Sequence, residues 1–452
     1  MSSTLNRAPD GEVIAIMVVW NGLPFLAEGI ASVLRELRPQ DDLLIIENGS
    51  TDGSAEWLRQ NYPDVALLQT GCNLGGAGGF NAGMAIALRC PRCRFIWLLD
   101  NDIIVEPGAL PPLLDQLAIE PNAVAAGSQI CLYQQPNIVQ EIGALLSPWL
   151  GALQQRGAGG PRQNPDQPPA LVDYLAACSL LIRSAALHAI GFFPNFFIYY
   201  DDVEWGQRAR RAGWTLWAVP ASVIRHHFSG LKPVAAWREY YRKRNRTVFL
   251  ALHPPRRGRQ WALLAYLIHL HHLILYTHWR GHTLFHQTYS AARHDALTGQ
   301  LGARELSPPP PPASLPTSLQ TCAMVWIDLP GQPGDAQLLA CRLQNSTPAI
   351  PCQIIDAAQS SCPASTSRPA AIVGDNYRLH TAWHAVIVYR YRDGQFTLLR
   401  HPIRDHIIAH LLHGLALLAA MSRAIPDFQR LRTRYRQGLT PFIPNKTYKN
   451  KY

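Results

Sequence analysis

The sequence predicts an α/β protein, with a mostly parallel sheet covered by helices on both faces and a smaller C-terminal α+β/helical region behind it. Three observations carry that expectation. Apolar runs of strand length alternate with amphipathic stretches from Val13 to Val105, the rhythm of parallel strands joined by crossover helices. Turns rich in Gly, Asn, Ser and Asp close those runs and supply helix starts. One run, Phe95 to Leu99, stops on Asp100-Asn101-Asp102, which puts a carboxylate pair at the strand edge where open α/β sheets bind ligands.

Composition bounds the possibilities. At 452 residues the chain has room for two or three domains and a sizeable core. Lys and Arg number 41 against 31 Asp and Glu, a surplus that favours anionic partners such as nucleotides, pyrophosphates or acidic lipid. Charged residues make up only 16%, which excludes a disordered polyelectrolyte. Nine scattered cysteines and an N-terminus (Met1 to Glu12) without an apolar signal core read as a reduced, cytoplasmic protein. Cys90-Pro91-Arg92-Cys93 has redox or zinc spacing, but no second pair follows at ligand distance, so it reads as coincidence.

In order, Val13 to Trp20 is the first strand, Pro24 to Leu37 an amphipathic helix, and Leu43 to Glu47 the second strand. A turn from Asn48 to Ser54 leads to a helix from Ala55 to Asn61 and a strand at Val65 to Gln69. The loop Asn73 to Gly83 then packs five glycines into nine residues before an Ala-rich helix, Met84 to Leu88. Such glycines let a backbone approach a ligand, and the helix start favours an anion; a flexible loop with packing glycines is the alternative. It is not the dinucleotide fingerprint, which follows a first strand. Asp100 and Asp102, one residue apart on extended backbone, point to one side. They suit a hard cation that keeps sites for water and phosphate, the alternative being a solvated turn.

Taken together, these motifs resemble the family 2 inverting glycosyltransferases. The match lies in the Val-rich first strand followed by Asn21, the turn Glu47-Asn48-Gly49-Ser50-Thr51-Asp52-Gly53-Ser54, the run Asn73-Leu74-Gly75-Gly76-Ala77-Gly78-Gly79-Phe80-Asn81-Ala82-Gly83, and Asp100-Asn101-Asp102. The similar branch is the bacterial rhamnosyl- and galactofuranosyltransferases, and the resemblance covers residues 12 to 250. It implies the GT-A fold and a nucleotide-sugar donor, UDP- or dTDP-linked. It further implies a divalent metal, Mg²⁺ or Mn²⁺, and a saccharide or polyprenyl-linked acceptor in cell-surface polysaccharide synthesis. Asn21, Glu47, Asn48, Asp52, Asn73, Gly75, Gly76, Gly78, Gly79, Asn81 and Asn101 would line the donor by this resemblance. Glu47-Asn48 stands where Asp-Asp or Asp-Asn is more usual, which leaves base selectivity open.

Further along, Pro107 to Leu117 reads as a helix, Ala123 to Cys131 as a strand, residues 151 to 170 as a surface loop, and Tyr174 to Ile182 as a buried strand. Tyr199-Tyr200-Asp201-Asp202-Val203-Glu204 opens a helix to about Ala212. By resemblance Asp202 is the base that inverting transfer requires, with Asp201 and Glu204 orienting the acceptor; helix capping is the alternative. Val223 to Phe228 is a short strand carrying His226, which by resemblance completes the metal site, with His227 as fallback. The basic helix Trp237 to Arg246 resembles the family's Tyr-x-x-Arg-Asn signature, and its cations either face a diphosphate or lipid or are solvated.

Residues 12–253 are thus expected to form the catalytic domain. Residues 254–305 follow as an amphipathic helical extension, with Trp261 to Tyr276 too short to span a membrane. His271, His278 and His282 would share one face, so the extension either lies in a membrane interface or packs on the catalytic domain. Residues 306–319, with Pro308 to Pro312, form a stiff linker. Residues 320–452 read as an α+β region. It holds a strand at Ala323 to Ile327 and a hairpin turning at Asp393-Gly394. A helix from Asp405 to Ile425 follows, with Ile407, Leu411, Leu415, Leu418 and Met421 as its stripe, ended by Pro426. A basic tail with Phe428, Leu431 and Tyr435 on one side either contacts the inner face of the cell membrane or an acceptor, or is a solvated, frayed end. Two rival functions remain. A sugar nucleotidyltransferase needs Gly-x-Gly-x-x-Arg after the first strand, which Trp20-Asn21-Gly22-Leu23 lacks. A non-catalytic nucleotide-sugar or nucleic-acid-binding module rests on the basic pI alone, and the surplus cations sit in helices rather than along a sheet face, so no nucleic acid is expected.

Overall fold

The structure, a computed structural model, describes residues 4–227, 235–258, 261–279, 282–305, five strands between 325 and 398, and 402–435. In chain order the first elements are β1 (Thr4–Leu5), β2 (Val13–Val19), α1 (Leu23–Glu36), β3 (Asp42–Glu47), α2 (Ser54–Asn61), β4 (Ala66–Gln69), α3 (Gly75–Ala87), β5 (Phe95–Asp100) and β6 (Ile103–Val105). There follow α4 (Leu110–Ile119), β7 (Ala123–Leu132), β8 (Val139–Glu141), β9 (Ala144–Leu146), β10 (Leu153–Gln155), β11 (Ala170–Val172), β12 (Ser179–Arg183), α5 (Ser184–Ile190), α6 (Asp201–Arg211) and β13 (Thr215–His226). The remainder is α7 (Ala236–Leu252), α8 (Trp261–Trp279), α9 (Thr283–Thr298), β14 (Val325–Asp328), β15 (Cys352–Ile354), β16 (Ala371–Gly374), β17 (Ile387–Arg392), β18 (Gln395–Leu398) and α10 (Pro402–Arg434).

The main sheet runs β1-β4-β3-β2-β5-β12-β7-β13-β11, with β6 beside β13 and β8 beside β7. β4, β3, β2 and β5 are parallel neighbours, and β12 enters antiparallel between β5 and β7. Every residue of β2 is buried. Ile14, Ile16 and Val18 join the core under α3, whereas Val13, Ala15, Met17 and Val19 join the core on the opposite face, as strand alternation demands. Strand order reverses between β2 and β5, with Val18 paired to Asp100. That reversal opens the crevice at the carboxyl edge in which α/β sheets bind ligands.

Six expectations need correction. The glycine run is the helix α3 itself rather than a loop ahead of one: Gly75 takes a φ of +74° at its first turn, and a Cβ on Gly79 would stand 2.6 Å from Val18 Cγ1. Small residues here let the helix lie close on β2. The stretch 174–182 is strand only from Ser179, the strand holding His226 begins at Thr215, and β10 interrupts the loop 151–170. Pro426 lies inside α10 instead of ending it. A mid-helix proline costs about 3 kcal/mol, and burial of Ala424, Leu431 and Tyr435 on both sides of it offsets that cost. Lastly, the Leu411, Leu415, Leu418 and Met421 stripe faces outward, while Ala416, Ala420 and Ala424 are buried. Leu275 of α8 packs on the alanines; small side chains let the two helix axes approach.

α8 is packed on several sides, and its core is shared with Ala144, Tyr174, Phe196 and Val203 of the sheet region and with α10. Of the two readings offered for the extension, packing is what the structure displays. His282 lies past α8, at the start of α9, so it does not share a face with His271. No helix among the described residues is long and apolar enough to cross a membrane. Beyond it, β14–β18 form a second sheet in the order β15-β14-β16-β17-β18, with the expected hairpin at β17 and β18. The proline linker, Asp393-Gly394 and the tail after Tyr435 lie outside the described residues, as does Phe228.

Asp427 ties the helical layer together. Its carboxylate accepts from His271 Nε2 at 2.8 Å and from Arg293 Nη2 at 2.7 Å, and the residue is 1% exposed. Burial works against its charge, but the hydrogen bonds from His271 and Arg293 hold its carboxyl below the ordinary value. The contribution is therefore complete above the unfolded-state pKa of about 3.9 and lost as pH falls through the lower folded value. Asp427→Ala leaves the Arg293 guanidinium and the buried His271 imidazole without their partner and is expected to cost about 3 kcal/mol in urea titration at neutral pH. An unchanged midpoint would contradict this role.

Candidate active site

The site is built where β5 ends. Asp100 is the last residue of β5 and Asp102 immediately precedes β6. β13 pairs antiparallel with β6, His226 opposite Ile103, and this register delivers the imidazole to the acidic pair. His226 Nε2 lies 3.2 Å from Asp102 Oδ1. One ligand atom from each of Asp100, Asp102 and His226 falls within 4.8 Å of the others. His227 donates its backbone N–H to the Asp102 carbonyl while its ring stacks on Tyr133, centroids 3.5 Å apart; the fallback residue is thus outside the cluster.

The electrostatics are those of an under-compensated acidic group. Burial, then the charge of Asp102, push Asp100 up to about 7. Burial opposes ionisation of Asp102 too, yet the hydrogen bond and charge of His226 keep it low. For His226 burial opposes the cation, and the Asp102 contact outweighs it and raises the pKa. Two hard carboxylates and an imidazole nitrogen, one carboxylate repelled by the other, fit a divalent cation such as Mg²⁺ or Mn²⁺.

The second acidic cluster stands at the start of α6. Asp202 Oδ2 accepts the N–H of Ala177 at 3.2 Å and Oδ1 accepts that of Val203 at 2.8 Å. Burial nevertheless lifts Asp202 to about 6. Asp201 is buried beside it and raised well above the carboxylate range, by burial first and then by the Asp202 charge. The two clusters are joined through adjacent backbone: Asp202 accepts from Ala177 N, and Asp100 N donates to the carbonyl of the next residue, Cys178, at 3.4 Å. Glu204 departs from the sequence reading. Its carboxylate is turned away to Arg208 Nε, at 2.8 and 3.0 Å, and to His253 Nε2 at 3.0 Å, and the residue is 2% exposed.

What aims α6 is a strained approach. Phe197, Tyr199 and Tyr200 all take positive φ values of 65–68° without being glycine, each costing on the order of 1–3 kcal/mol. Asn245 holds the segment by donating Nδ2–H bonds to the carbonyls of Phe196, Ile198 and Tyr199 at 3.1, 2.8 and 2.8 Å. Arg244, 1% exposed, donates to the Phe196 carbonyl at 2.7 Å and to that of Gly302 at 2.8 Å. The Arg-Asn signature therefore grips backbone, and the Arg244 cation faces neither diphosphate nor lipid.

The residues expected on the donor side occupy the same edge but already have protein partners. Asn48 Nδ2 donates to the Gly75 carbonyl at 3.1 Å and its Oδ1 accepts from Leu74 N; Asn73 Oδ1 accepts from Gly75 N at 2.8 Å. Glu47 Oε1 accepts from Ser50 N at 2.6 Å, Asn21 Oδ1 from Thr51 N at 2.8 Å, and Asp52 joins Ser54 to Leu23 N. Asn81 sits inside the fold, exchanging hydrogen bonds with the Phe193 backbone. Asn101 lies against Gly22, Gly75 against the Phe197 carbonyl and Gly78 against Leu74, while Gly76 has open space around it.

Comparison with known proteins identifies the family. The profile of Glycosyl transferase family 2 matches residues 14–186. An N-acetylglucosaminyl-diphospho-decaprenol L-rhamnosyltransferase of Mycobacterium tuberculosis is 30% identical over 236 residues, 47% of this chain and 75% of that protein. The chain belongs to glycosyl transferase family 2. The galactofuranosyltransferase GlfT2 of Mycolicibacterium smegmatis is 27% identical over 197 residues, 40% of this chain and 30% of that one. Among solved structures, the mannosyltransferase PcManGT from Pyrobaculum calidifontis, in complex with GDP-Man and Mn²⁺, aligns with a TM-score of 0.40 at 17% identity, covering 66% of this chain and 91% of that one. The protein is a nucleotide-sugar glycosyltransferase of family 2, with the mixed, mostly parallel α/β sheet expected of it.

In this glycosyltransferase two site residues had no signal in the sequence. Gln140 Oε1 meets His226 Nδ1 at 2.9 Å; an amide oxygen only accepts, so Nδ1 carries a proton and Nε2 is the nitrogen turned to the carboxylates. Glu141, 4% exposed, is pushed to about 7 by burial and the charge of Asp202. Both sit on the three-residue strand β8, too short for a readable pattern. A test of the strained approach follows. Asn245→Asp keeps an acceptor for Arg244 Nε, 2.8 Å away in the native protein, and replaces the three donated amide contacts with a carboxylate oxygen that repels those carbonyls. Turnover is expected to fall by roughly 10²-fold through misplacement of Asp202, with metal-dependent nucleotide binding intact. Unchanged kcat in a steady-state assay would contradict the role.

Proposed function

We propose that this glycosyltransferase works with inversion and divalent-metal dependence. It moves a rhamnose- or galactofuranose-like sugar from a UDP- or dTDP-linked donor to a saccharide or polyprenyl-linked acceptor, in cell-surface polysaccharide synthesis. The observation that carries the reading is the convergence of Asp100, Asp102 and His226 within 4.8 Å beside the separate buried carboxylate of Asp202. The names of the rhamnosyl- and galactofuranosyltransferase relatives support the choice of sugar. Basic residues closing α10, Arg430, Arg432 and Arg434, suit work against anionic lipid at the cytoplasmic face of the membrane.

Asp102, Asp100 and His226 would hold Mg²⁺ or Mn²⁺, which supplies positive charge against the departing diphosphate. Asp202 is assigned as the base. With each oxygen already accepting one backbone N–H, its carboxylate is fixed in direction and retains lone pairs for the acceptor proton. As that proton passes to Asp202, the acceptor oxygen forms its bond to the anomeric carbon. The bond from that carbon to the donor diphosphate breaks on the opposite face and its electron pair leaves with the phosphate. A carboxyl lifted to about 6 is both ionised at neutral pH and basic enough to share a proton in the transition state. Asp201 orients the acceptor, and Glu204 acts indirectly by anchoring α6 to Arg208 and His253. Asn21, Glu47, Asn48, Asp52, Asn73 and Asn101, with Gly75, Gly76, Gly78 and Gly79, shape the nucleoside side, while Asn81 acts from inside the fold by holding α3 to the Phe193 backbone.

The test is thermal unfolding with UDP, dTDP, GDP and CMP, with and without Mn²⁺, on the wild type, Asp102→Ala and Asp202→Asn. One nucleotide is expected to stabilise the wild type only with metal, by about 2.7 kcal/mol at a hundredfold excess over Kd. Asp102→Ala loses that gain. Asp202→Asn keeps it while transfer falls by roughly 10²–10⁴-fold. No shift with any nucleotide, or a shift indifferent to metal and to Asp102, overturns the reading.

A further inference from the structure

Helix α7 carries more than the backbone grip of Arg244 and Asn245. Arg238, Arg242 and Arg246 recur every fourth residue, which places them along one side of the helix, with Lys243 beside them. Each has its own platform. Arg242 lies 5.0 Å over the Tyr199 ring, Arg246 4.7 Å over Tyr266, Arg238 5.3 Å over Trp237, and Lys243 5.8 Å from the Tyr289 centroid. Stacking fixes guanidinium planes without using their N–H donors. The Nε atoms of Arg238 and Arg246 are buried and have no hydrogen-bond partner among the described residues, an arrangement that costs free energy unless an acceptor arrives. Among the described residues Glu239 is the carboxylate ion-paired with this row, 3.8 Å from Arg242 and 3.5 Å from Lys243, so four cations meet one paired acid.

The position of this row matters. Tyr199, under Arg242, is three residues from Asp202 along the chain, a span of at most ~11 Å. That is the scale of a sugar bearing a phosphate at its anomeric carbon. We propose that Arg238, Arg242 and Arg246 form a phosphate-binding subsite for the acceptor, gripping a phosphate or diphosphate ester while the acceptor hydroxyl lies at Asp202. This rests on the assignment of Asp202 as the base. The fork of an arginine reads phosphate oxygens in pairs, and the exposed Arg242, the half-buried Arg246 and Arg238 together present a directional site rather than a diffuse charge.

Inorganic pyrophosphate, without divalent metal, is titrated calorimetrically into the full chain as wild type, Arg242→Gln/Arg246→Gln, Glu239→Gln and Asp102→Asn. The double variant is expected to bind at least tenfold more weakly, Glu239→Gln more tightly, and Asp102→Asn as the wild type does. Pyrophosphate binding unchanged in both the double variant and Glu239→Gln overturns the subsite, as does binding that disappears in Asp102→Asn. Glu239→Gln keeps the test decisive where the double variant fails to fold. Co-sedimentation with phosphatidylcholine vesicles, with and without phosphatidylglycerol, separates the sources of phosphate. Vesicle binding unchanged by the double variant assigns the subsite to the acceptor's own phosphate. Loss of vesicle binding with pyrophosphate binding intact overturns it in favour of a lipid-surface contact. Loss of both keeps the phosphate chemistry and moves its source to lipid headgroups. Metal-dependent nucleotide stabilisation retained in the double variant shows that the donor site stands whichever way the subsite falls.

Discussion

The grip of Asn245 and Arg244 on the carbonyls of Phe196, Ile198 and Tyr199 is the contact on which the rest of the site depends. Three non-glycine residues in the left-handed region do not persist by local preference. They persist here because a buried side chain on α7 satisfies the backbone groups that the strained path leaves over. The strained path in turn sets where α6 begins, and with it the position of Asp202. The Phe197 carbonyl also accepts from Ala77 N at 3.2 Å, so the glycine-rich start of α3 is braced by the same segment.

This makes the sheet and the helical layer one mechanical unit. α7 follows β13, which carries His226, in the chain, and its far end packs with α8, α9 and α10 in a single core. Arg244 further reaches the Gly302 carbonyl beyond α9, and Tyr240 donates to Asp295 within α9. Helices that read in the sequence as an appendage thus stand behind the acidic cluster. On the other side of the site, the register of β13 on β6 decides which histidine meets the carboxylates. A shift by one residue would exchange His226 for His227.

The parts legible in the sequence are those where one residue type has one physical use. The buried runs that became β2, β3 and β5, the acidic pair closing β5, and the acidic start of α6 all fall there. Its failures have a common cause, which is that a partner decides the outcome. The glycine run became helix because β2 offered a surface for it, and the alanine face of α10 won burial over the leucine stripe because α8 could approach it closely. Glu204 found Arg208 and His253, and Arg244 found carbonyls rather than an anion. Gln140 and Glu141 belong to a strand of three residues whose neighbours, not its pattern, place it beside His226 and Asp202.

The central claim is that Asp100, Asp102 and His226 form one metal centre. The most direct measurement is pulsed electron paramagnetic resonance of Mn²⁺ bound with nucleotide, comparing the wild type with His226→Gln and His227→Gln. The account predicts an imidazole nitrogen coupling to Mn²⁺ in the wild type, retained in His227→Gln and lost in His226→Gln. A coupling absent throughout, or lost only in His227→Gln, would contradict it.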